Sequence, residues 1–134
     1  QMAVLFTMPG STCIYYGTEI VMEGGFDPDC RRCMPWSKID SGKYDDKISA
    51  MKQLIKMRNE NDLCKSLEIR FMQDGKNPRF VHYQKIADNG VLDVRLNCSE
   101  NIETLTITEE VLFSRLYDGE QLQPGGVVIS YRKN

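Results

Sequence analysis

From Leu67 onward, apolar and polar residues alternate in short runs separated by turn residues. The alternation is clearest in LEIRFM, RFVHYQKI and VLDVRLN, with the turn sequences DGKNP (74–78) and ADNG (87–90) between them. The shorter runs ETLTIT, LFSRLYD and GVVISYR follow at close spacing. A period of two places successive side chains on opposite faces of a strand, and several such strands in series are typical of an antiparallel sandwich or barrel. We therefore predict an antiparallel β-sandwich over residues 63–134.

One amphipathic helix is predicted before the strands, over residues 45–59. Ile48, Met51 and Ile55 fall on one face at helical spacing, and Leu54 lies beside them. We expect this helix to dock on the sheet through the face formed by Ile48, Met51 and Ile55.

The first third of the chain has a different texture. Residues 1–8 are apolar and compatible with a helix, and CIYYG (13–17) is a short apolar run ended by glycine, as in a strand buried on both faces. Residues 22–43 are rich in Gly, Pro, Asp and Ser, and a loop of that length is either functional or disordered. The sequence predicts a buried strand, a long loop and a helix, followed by an all-β unit.

Composition excludes several classes of partner. The chain has 134 residues with 17 basic and 19 acidic side chains, a net charge of −2, so it offers no electrostatic basis for binding nucleic acid or an anionic membrane. No apolar run approaches the ~20 residues of a membrane span, and the first nine residues lack the basic start of a signal peptide. The five cysteines do not form the dense, even framework of a secreted domain. We expect a cytoplasmic protein with reduced thiols. Because the sequence begins without Met, we also expect it to be part of a longer chain.

The sequence DCRRC (29–33) raises the alternatives of a redox pair or half a zinc site. A redox pair is expected at the start of a helix in a thioredoxin-like unit, whereas this pair lies between a Gly- and Asp-rich loop and Met34-Pro35. A structural zinc site needs four ligands, and His82, the single histidine, is far along the chain. We therefore expect neither a metal nor another cofactor.

The segment from Pro9 to Trp36 resembles the α-amylase superfamily, in particular its neopullulanase, cyclomaltodextrinase and maltogenic amylase branch. The matching residues are Ile14-Tyr15-Tyr16-Gly17, Glu19-Ile20, the block Asp27-Pro28-Asp29-Cys30-Arg31-Arg32, Met34 and Trp36. Cys33 and Thr12 each replace a proline of the family pattern. The spacing of Cys30 and Cys33 is therefore a coincidence, and we expect other residues of the loop to carry its function.

The resemblance implies a fold and an activity for the protein to which this segment belongs. Residues 1–62 would form the last strand, substrate loop and last helix of a (β/α)8 barrel, and residues 63–134 the carboxy-terminal β-sandwich. The activity implied is hydrolysis of α-1,4 and α-1,6 glucosidic bonds by a retaining mechanism, on maltooligosaccharides, cyclodextrin or pullulan. Such hydrolysis needs two carboxyl groups across the bond, and none of the family motifs that supply them is present here, so we expect this segment alone to be inactive.

The resemblance also identifies candidate substrate-binding residues. Asp27 and Arg31 occupy loop positions that, in the resembling enzymes, hydrogen-bond a glucose unit on the non-reducing side of the cleaved bond. The alternative is an ion pair within the loop that only fixes the turn, and both roles are compatible. Further candidates are Glu19, at the end of the predicted strand, Tyr16, and Trp36, which either stacks on a sugar or anchors the loop.

Two broader alternatives remain open from the sequence. The β-sandwich could instead act as a non-catalytic module that binds glucan or a protein partner. The strand predicted at 13–17 would lack its parallel neighbours, so the segment would be poorly ordered, rearranged against the sandwich, or buried in a homo-oligomeric contact through Ile14 and Tyr15.

Overall fold

The computed structural model describes residues 1–73 and 77–134. Within them the helices are α1 (Met2–Thr7), α2 (Trp36–Asp40) and α3 (Asp45–Glu60), and the strands are β1 (Glu68–Met72), β2 (Phe80–Ala87), β3 (Gly90–Asn97), β4 (Glu103–Thr104), β5 (Glu110–Tyr117) and β6 (Gln121–Arg132). Single 3₁₀ turns cover Thr18–Ile20, Asp29–Arg31 and Asp62–Lys65.

The six strands form one antiparallel sheet in the order β1-β2-β3-β6-β4, with β5 also paired to β6. The long strand β6 pairs with β4 through its first residues and with β3 through residues 127–132. The prediction of a largely antiparallel β structure after residue 63 is confirmed, although ETLTIT contributes strand only at Glu103–Thr104. Of the predicted turn DGKNP, residues 74–76 lie outside the described residues.

One face of the sheet packs against the helices. Tyr83, Leu92, Val94 and Ile129 are fully or almost fully buried there and join residues of α1 and α3 in a single core. The hydroxyls of Tyr83 and Thr7 are 2.5 Å apart, which links β2 to α1 at the centre of this face.

The opposite face carries a buried polar cluster centred on Asp93. The Asp93 carboxylate is bonded to His82 Nε2 at 2.7 Å and accepts a hydrogen bond from Gln84 Nε2 at 2.9 Å, with Arg95 Nη2 at 3.5 Å. Burial by itself raises the pKa of Asp93, but the hydrogen bonds from His82 and Gln84 and the charge of Arg95 lower it below its usual value. The cluster therefore holds a charged carboxylate inside the sheet.

Arg58 ties the start of the chain to α3. Its guanidinium is buried and donates from Nη1 to the carbonyl oxygens of Phe6 (2.8 Å), Met8 (3.0 Å) and Cys64 (3.2 Å), and from Nη2 to that of Gly10. The carbonyls at the end of a helix have no partner within the helix, and Arg58 supplies one for α1.

The prediction of a helix at 45–59 is confirmed, but the predicted docking face is partly wrong. Met51, Leu54 and Met57 are buried in the core, whereas Ile55 is 39% exposed. The buried side of α3 is therefore centred on Met51, Leu54 and Met57, because α1 and the sheet together cover a surface that the helical pattern alone cannot locate. Among the described residues no helix is long and apolar enough to cross a membrane.

The prediction of a buried strand at 13–17 is wrong for this structure. These residues form no strand, and Ile14, Tyr15 and Tyr16 are 37%, 58% and 39% exposed. An isolated strand leaves its backbone groups unpaired, and the antiparallel sheet provides no parallel neighbour for this segment. Residues 2–7 instead dock as a helix, and residues 13–16 are exposed on the surface.

Candidate functional site

The loop between Met22 and Trp36 brings Asp27 and Arg31 together. The 3₁₀ turn Asp29–Arg31 lies within this loop, and Arg31 Nη2 lies 2.5 Å from Asp27 Oδ1. Both side chains are largely exposed, at 62% for Arg31 and 69% for Asp27. The two predicted binding residues therefore form one ion pair that faces solvent.

A second ion pair shapes the same loop. Arg32 donates to the Asp29 carboxylate from both Nε and Nη2, the latter at 2.6 Å, and Asp29 Oδ2 also accepts from the Gly25 N–H at 2.9 Å. The Arg32 hydrogen bond lowers the pKa of Asp29 below its usual value. A carboxylate bound by both a fork of donors and the backbone fixes the turn. Asp29 and Arg32 therefore brace the loop, and the side chains of Asp27 and Arg31 extend from it into solvent.

Tyr16 supports the loop from the preceding segment. Its hydroxyl donates to the carbonyl oxygen of Arg32 at 2.9 Å, and its ring lies 4.7 Å from that of Tyr15. Partial burial and the adjacent Tyr15 raise the pKa of Tyr16, so the hydroxyl remains a donor at neutral pH. Tyr16 therefore contacts the loop backbone through Arg32 rather than the Asp27–Arg31 pair itself.

The environments of Glu19 and Trp36 differ from those predicted from the sequence. Glu19 lies in the 3₁₀ turn Thr18–Ile20, not at a strand end, and lines a shallow depression of about 160 Å³ with Lys47 and Arg115. Trp36 is the first residue of α2 and is 64% exposed. This exposure does not fit the alternative of a packed loop anchor, and it leaves the indole ring accessible to solvent.

A cavity of about 570 Å³ beside the loop has four basic side chains in its lining. They are Arg32, Lys38, Lys43 and Lys47. The ammonium groups of Lys43 and Lys47 lie 5.8 and 6.0 Å from the centre of the Tyr44 ring. Successive members of this cluster are six, five and four residues apart in the sequence, and no motif in the sequence predicts that they line one cavity.

All five cysteines are free thiols in the structure. Cys13, Cys30, Cys33 and Cys98 are exposed, whereas Cys64 is buried and burial raises its pKa to about 11. Cys30 Sγ lies 3.7 Å from Asp27 Oδ1. Within residues 1–73 and 77–134, no group of three or more His, Cys, Asp or Glu side chains is placed to hold a metal ion.

The loop is suited to binding hydroxyl groups. A carboxylate beside a guanidinium offers acceptors and a rigid fork of donors to neighbouring hydroxyls. Retaining glycoside hydrolysis requires two carboxyl groups about 5–5.5 Å apart, but Asp29, the next carboxylate along the loop from Asp27, is bound to Arg32 and Gly25. The exposed Asp27–Arg31 pair therefore presents hydrogen-bond donors and acceptors to solvent.

The chain is similar in sequence to several amylolytic enzymes. It is 35% identical over 108 residues to a cyclomaltodextrinase of a Bacillus species, which covers 78% of this chain and 19% of that protein. It is 34% identical over 110 residues to an intracellular maltogenic amylase of Bacillus subtilis, covering 81% of this chain and 18% of that protein. It is 43% identical over 61 residues to neopullulanase 2 of Thermoactinomyces vulgaris, covering 44% of this chain and 10% of that protein. No family model matches the chain.

Solved structures agree with these relatives. A maltogenic amylase from S. marinus superposes with a TM-score of 0.74 at 25% identity, over 97% of this chain and 19% of that one. A cyclomaltodextrinase superposes with a TM-score of 0.69 at 26% identity, over 98% of this chain and 25% of that one. The resemblance inferred from residues 9–36 is thereby confirmed. The chain spans about a fifth of the length of the cyclomaltodextrinase and the maltogenic amylase that it matches in sequence.

Proposed function

We propose that this chain, a homologue of the carboxy-terminal part of α-amylase superfamily glycoside hydrolases, supplies a substrate-binding loop and a supporting β domain to an α-glucan hydrolase. The observation that carries the proposal is the similarity to cyclomaltodextrinase and maltogenic amylase over most of the chain. The exposed Asp27–Arg31 pair, held on a loop braced by Asp29 and Arg32, is consistent with it.

Asp27 and Arg31 are proposed to hydrogen-bond one glucose unit of the substrate. Each side chain is accessible, and their mutual contact fixes the orientation in which they meet a hydroxyl. Tyr16 supports the loop by its bond to the Arg32 carbonyl, and the exposed ring of Trp36 is available for stacking on a sugar face. For Glu19 we propose a supporting role at the base of the loop.

The proposed domain arrangement follows the homology. Residues 1–62 correspond to the end of a catalytic (β/α)8 barrel and residues 63–134 to the carboxy-terminal sandwich. In the longer protein, residues 13–17 would join the parallel barrel sheet, and their exposed apolar side chains support that assignment. A homo-oligomeric contact through Ile14 and Tyr15 is the alternative for the isolated chain, in which the barrel does not cover this surface.

The proposed substrates are maltooligosaccharides, cyclodextrin and pullulan, cleaved at α-1,4 and α-1,6 bonds with retention. The reaction would take place in the cytoplasm, in keeping with the relative named an intracellular maltogenic amylase, and would need no cofactor. The carboxylates that cleave the bond would belong to other strands of the barrel.

A first test measures activity. The isolated chain, purified to homogeneity, should release no product from a chromogenic maltoside, from cyclodextrin or from pullulan, whereas the full-length protein should turn over at least one of them. Turnover by the isolated chain, or none by the full-length protein, would contradict the proposal.

A second test uses the two neighbouring arginines of the loop. In the full-length protein, Arg31→Ala should lower kcat/KM on maltotriose about 10- to 100-fold, because a charge-assisted hydrogen bond to the sugar is lost. Arg31→Lys, which keeps the charge but not the fork, should recover only part of the loss. The thermal midpoint should stay near wild type for Arg31→Ala and fall for the matched variant Arg32→Ala, whose side chain holds the turn. Unchanged kinetics in Arg31→Ala would show that the pair is purely structural.

A further inference from the structure

Strand β1 forms an open edge of the sheet. It lies at the end of the strand order and, among the described residues, pairs only with β2, from Glu68↔Ile86 to Met72↔His82. Its outer row of N–H and C=O groups is therefore available, and such an edge is a template for pairing with another strand.

The helix-facing side of this edge is apolar and uncovered. Leu67, immediately before β1, is 84% exposed and Phe71 is 69% exposed. The Phe71 ring contacts that of Tyr83 at 5.8 Å between centroids, so Leu67 and Phe71 extend the core face beyond the area that the helices shield. Ile69, between them, packs against the core.

The other side of the edge carries one charge of each sign. Glu68 and Arg70 are 60% and 64% exposed, and Glu68 Oε1 lies 3.6 Å from Arg70 Nη2 within the strand. An exposed pair of this kind is weakly held, so both side chains can turn to a new partner.

The order of these five residues is self-complementary. If two copies of β1 pair antiparallel with Ile69 opposite Ile69, then Glu68 of each copy faces Arg70 of the other, and Leu67 of each faces Phe71 of the other. A shift of one residue would place the apolar side chains on the charged face. A shift of two would place Glu68 opposite Glu68 or Arg70 opposite Arg70, which is destabilising.

We infer that the chain self-associates through β1, with a two-fold axis at Ile69 that joins the sheets of two copies into one. The interface is isologous, as in most symmetric dimers. A ladder of five residues per copy buries less than a standard protein interface, so the dimer is in exchange with monomer and its population rises with protein concentration.

Sedimentation velocity over a concentration series of the 134-residue chain tests the inference. The wild-type chain should shift from monomer to dimer as concentration increases. Glu68→Arg and Arg70→Glu each place like charges opposite one another at two symmetric positions and should weaken the dimer at least about tenfold. An equimolar mixture of the two variants restores opposite charges in the heterodimer and should associate as tightly as wild type.

Matched controls separate this edge from other surfaces. Glu100→Arg and Lys52→Glu make the same charge changes at exposed positions away from β1 and should leave the dissociation constant unchanged. Circular dichroism establishes that each variant is folded. A wild-type chain that is monomeric at all concentrations, a dimer insensitive to the two β1 variants, or a mixture that stays monomeric would each overturn the inference.

Discussion

Arg58 donates a hydrogen bond from Nη1 to the carbonyl oxygen of Phe6 at 2.8 Å, across 52 residues of chain. The same guanidinium reaches Met8, Gly10 and Cys64, so one side chain of α3 holds the end of α1 and the start of the surface segment.

Replacing Arg58 should therefore detach α1 from the core. Arg58→Ala leaves four carbonyl oxygens without their donor, and we expect the free energy of unfolding to fall by about 2–4 kcal/mol. Urea denaturation measures the loss, with Lys56→Ala on the exposed face of α3 as the control. A change below about 0.5 kcal/mol would show that solvent replaces the guanidinium at no cost.

The Asp93 cluster predicts a loss of stability in acid. Because the folded pKa of Asp93 lies below its usual value, the carboxylate stabilises the fold above the unfolded pKa, and this contribution is lost as the pH falls through the folded pKa. The urea midpoint should decline below about pH 4. Asp93→Asn should be less stable than wild type at pH 7 and should flatten this decline. If the urea midpoint declined equally at low pH in wild type and Asp93→Asn, the acid sensitivity would arise from other carboxylates.

Lys85 is buried on the helix-facing side of β2, and in the described part of the chain its ammonium has no hydrogen-bond partner. Burial lowers its pKa. Because an unsatisfied buried polar group is costly, Lys85→Met, which keeps the length of the side chain, should raise the unfolding free energy by about 1–2 kcal/mol at pH 7. A lower thermal midpoint in this variant would indicate that the ammonium is bonded in solution.

The thiols should divide into two classes. In native buffer a thiol reagent should modify Cys13, Cys30, Cys33 and Cys98 rapidly and Cys64 only on unfolding, because Cys64 is buried and its pKa is raised to about 11. Denatured protein prepared without reductant should yield all five. Two missing thiols that return after reduction would instead indicate a disulfide, with Cys30 and Cys33 as the first pair to examine.

The segment that follows α1 should exchange its amide hydrogens quickly. Within the described residues, the N–H groups of residues 11–17 donate no backbone hydrogen bond, whereas β3 is paired on both sides by β2 and β6. Exchange monitored by NMR should be complete in residues 13–16 long before β3 begins to exchange. Slow exchange in both segments would mean that residues 13–17 are protected by self-association.

Local sequence was sufficient to predict structure wherever the contacting residues lie close together in the chain. The alternation in RFVHYQKI and VLDVRLN determines two paired strands because the period of two and the short turn between them act locally. The loop motif from Asp27 to Arg32 likewise indicated both the family and an ion pair, since residues four apart in a tight turn are within reach of each other.

Tertiary structure decided what depends on distant partners. The apolar run at 13–17 has the composition of a buried strand, but a strand forms only beside another strand, and this sheet offers none parallel to it. Ile55 and Leu54 both lie on the apolar side of α3, and the packing of α1 and the sheet selects Leu54 for the core. The carbonyls of Phe6, Met8 and Gly10 that Arg58 binds lie about 50 residues away in the sequence, and hydrophobic periodicity carries no information about which remote groups the folded chain brings together.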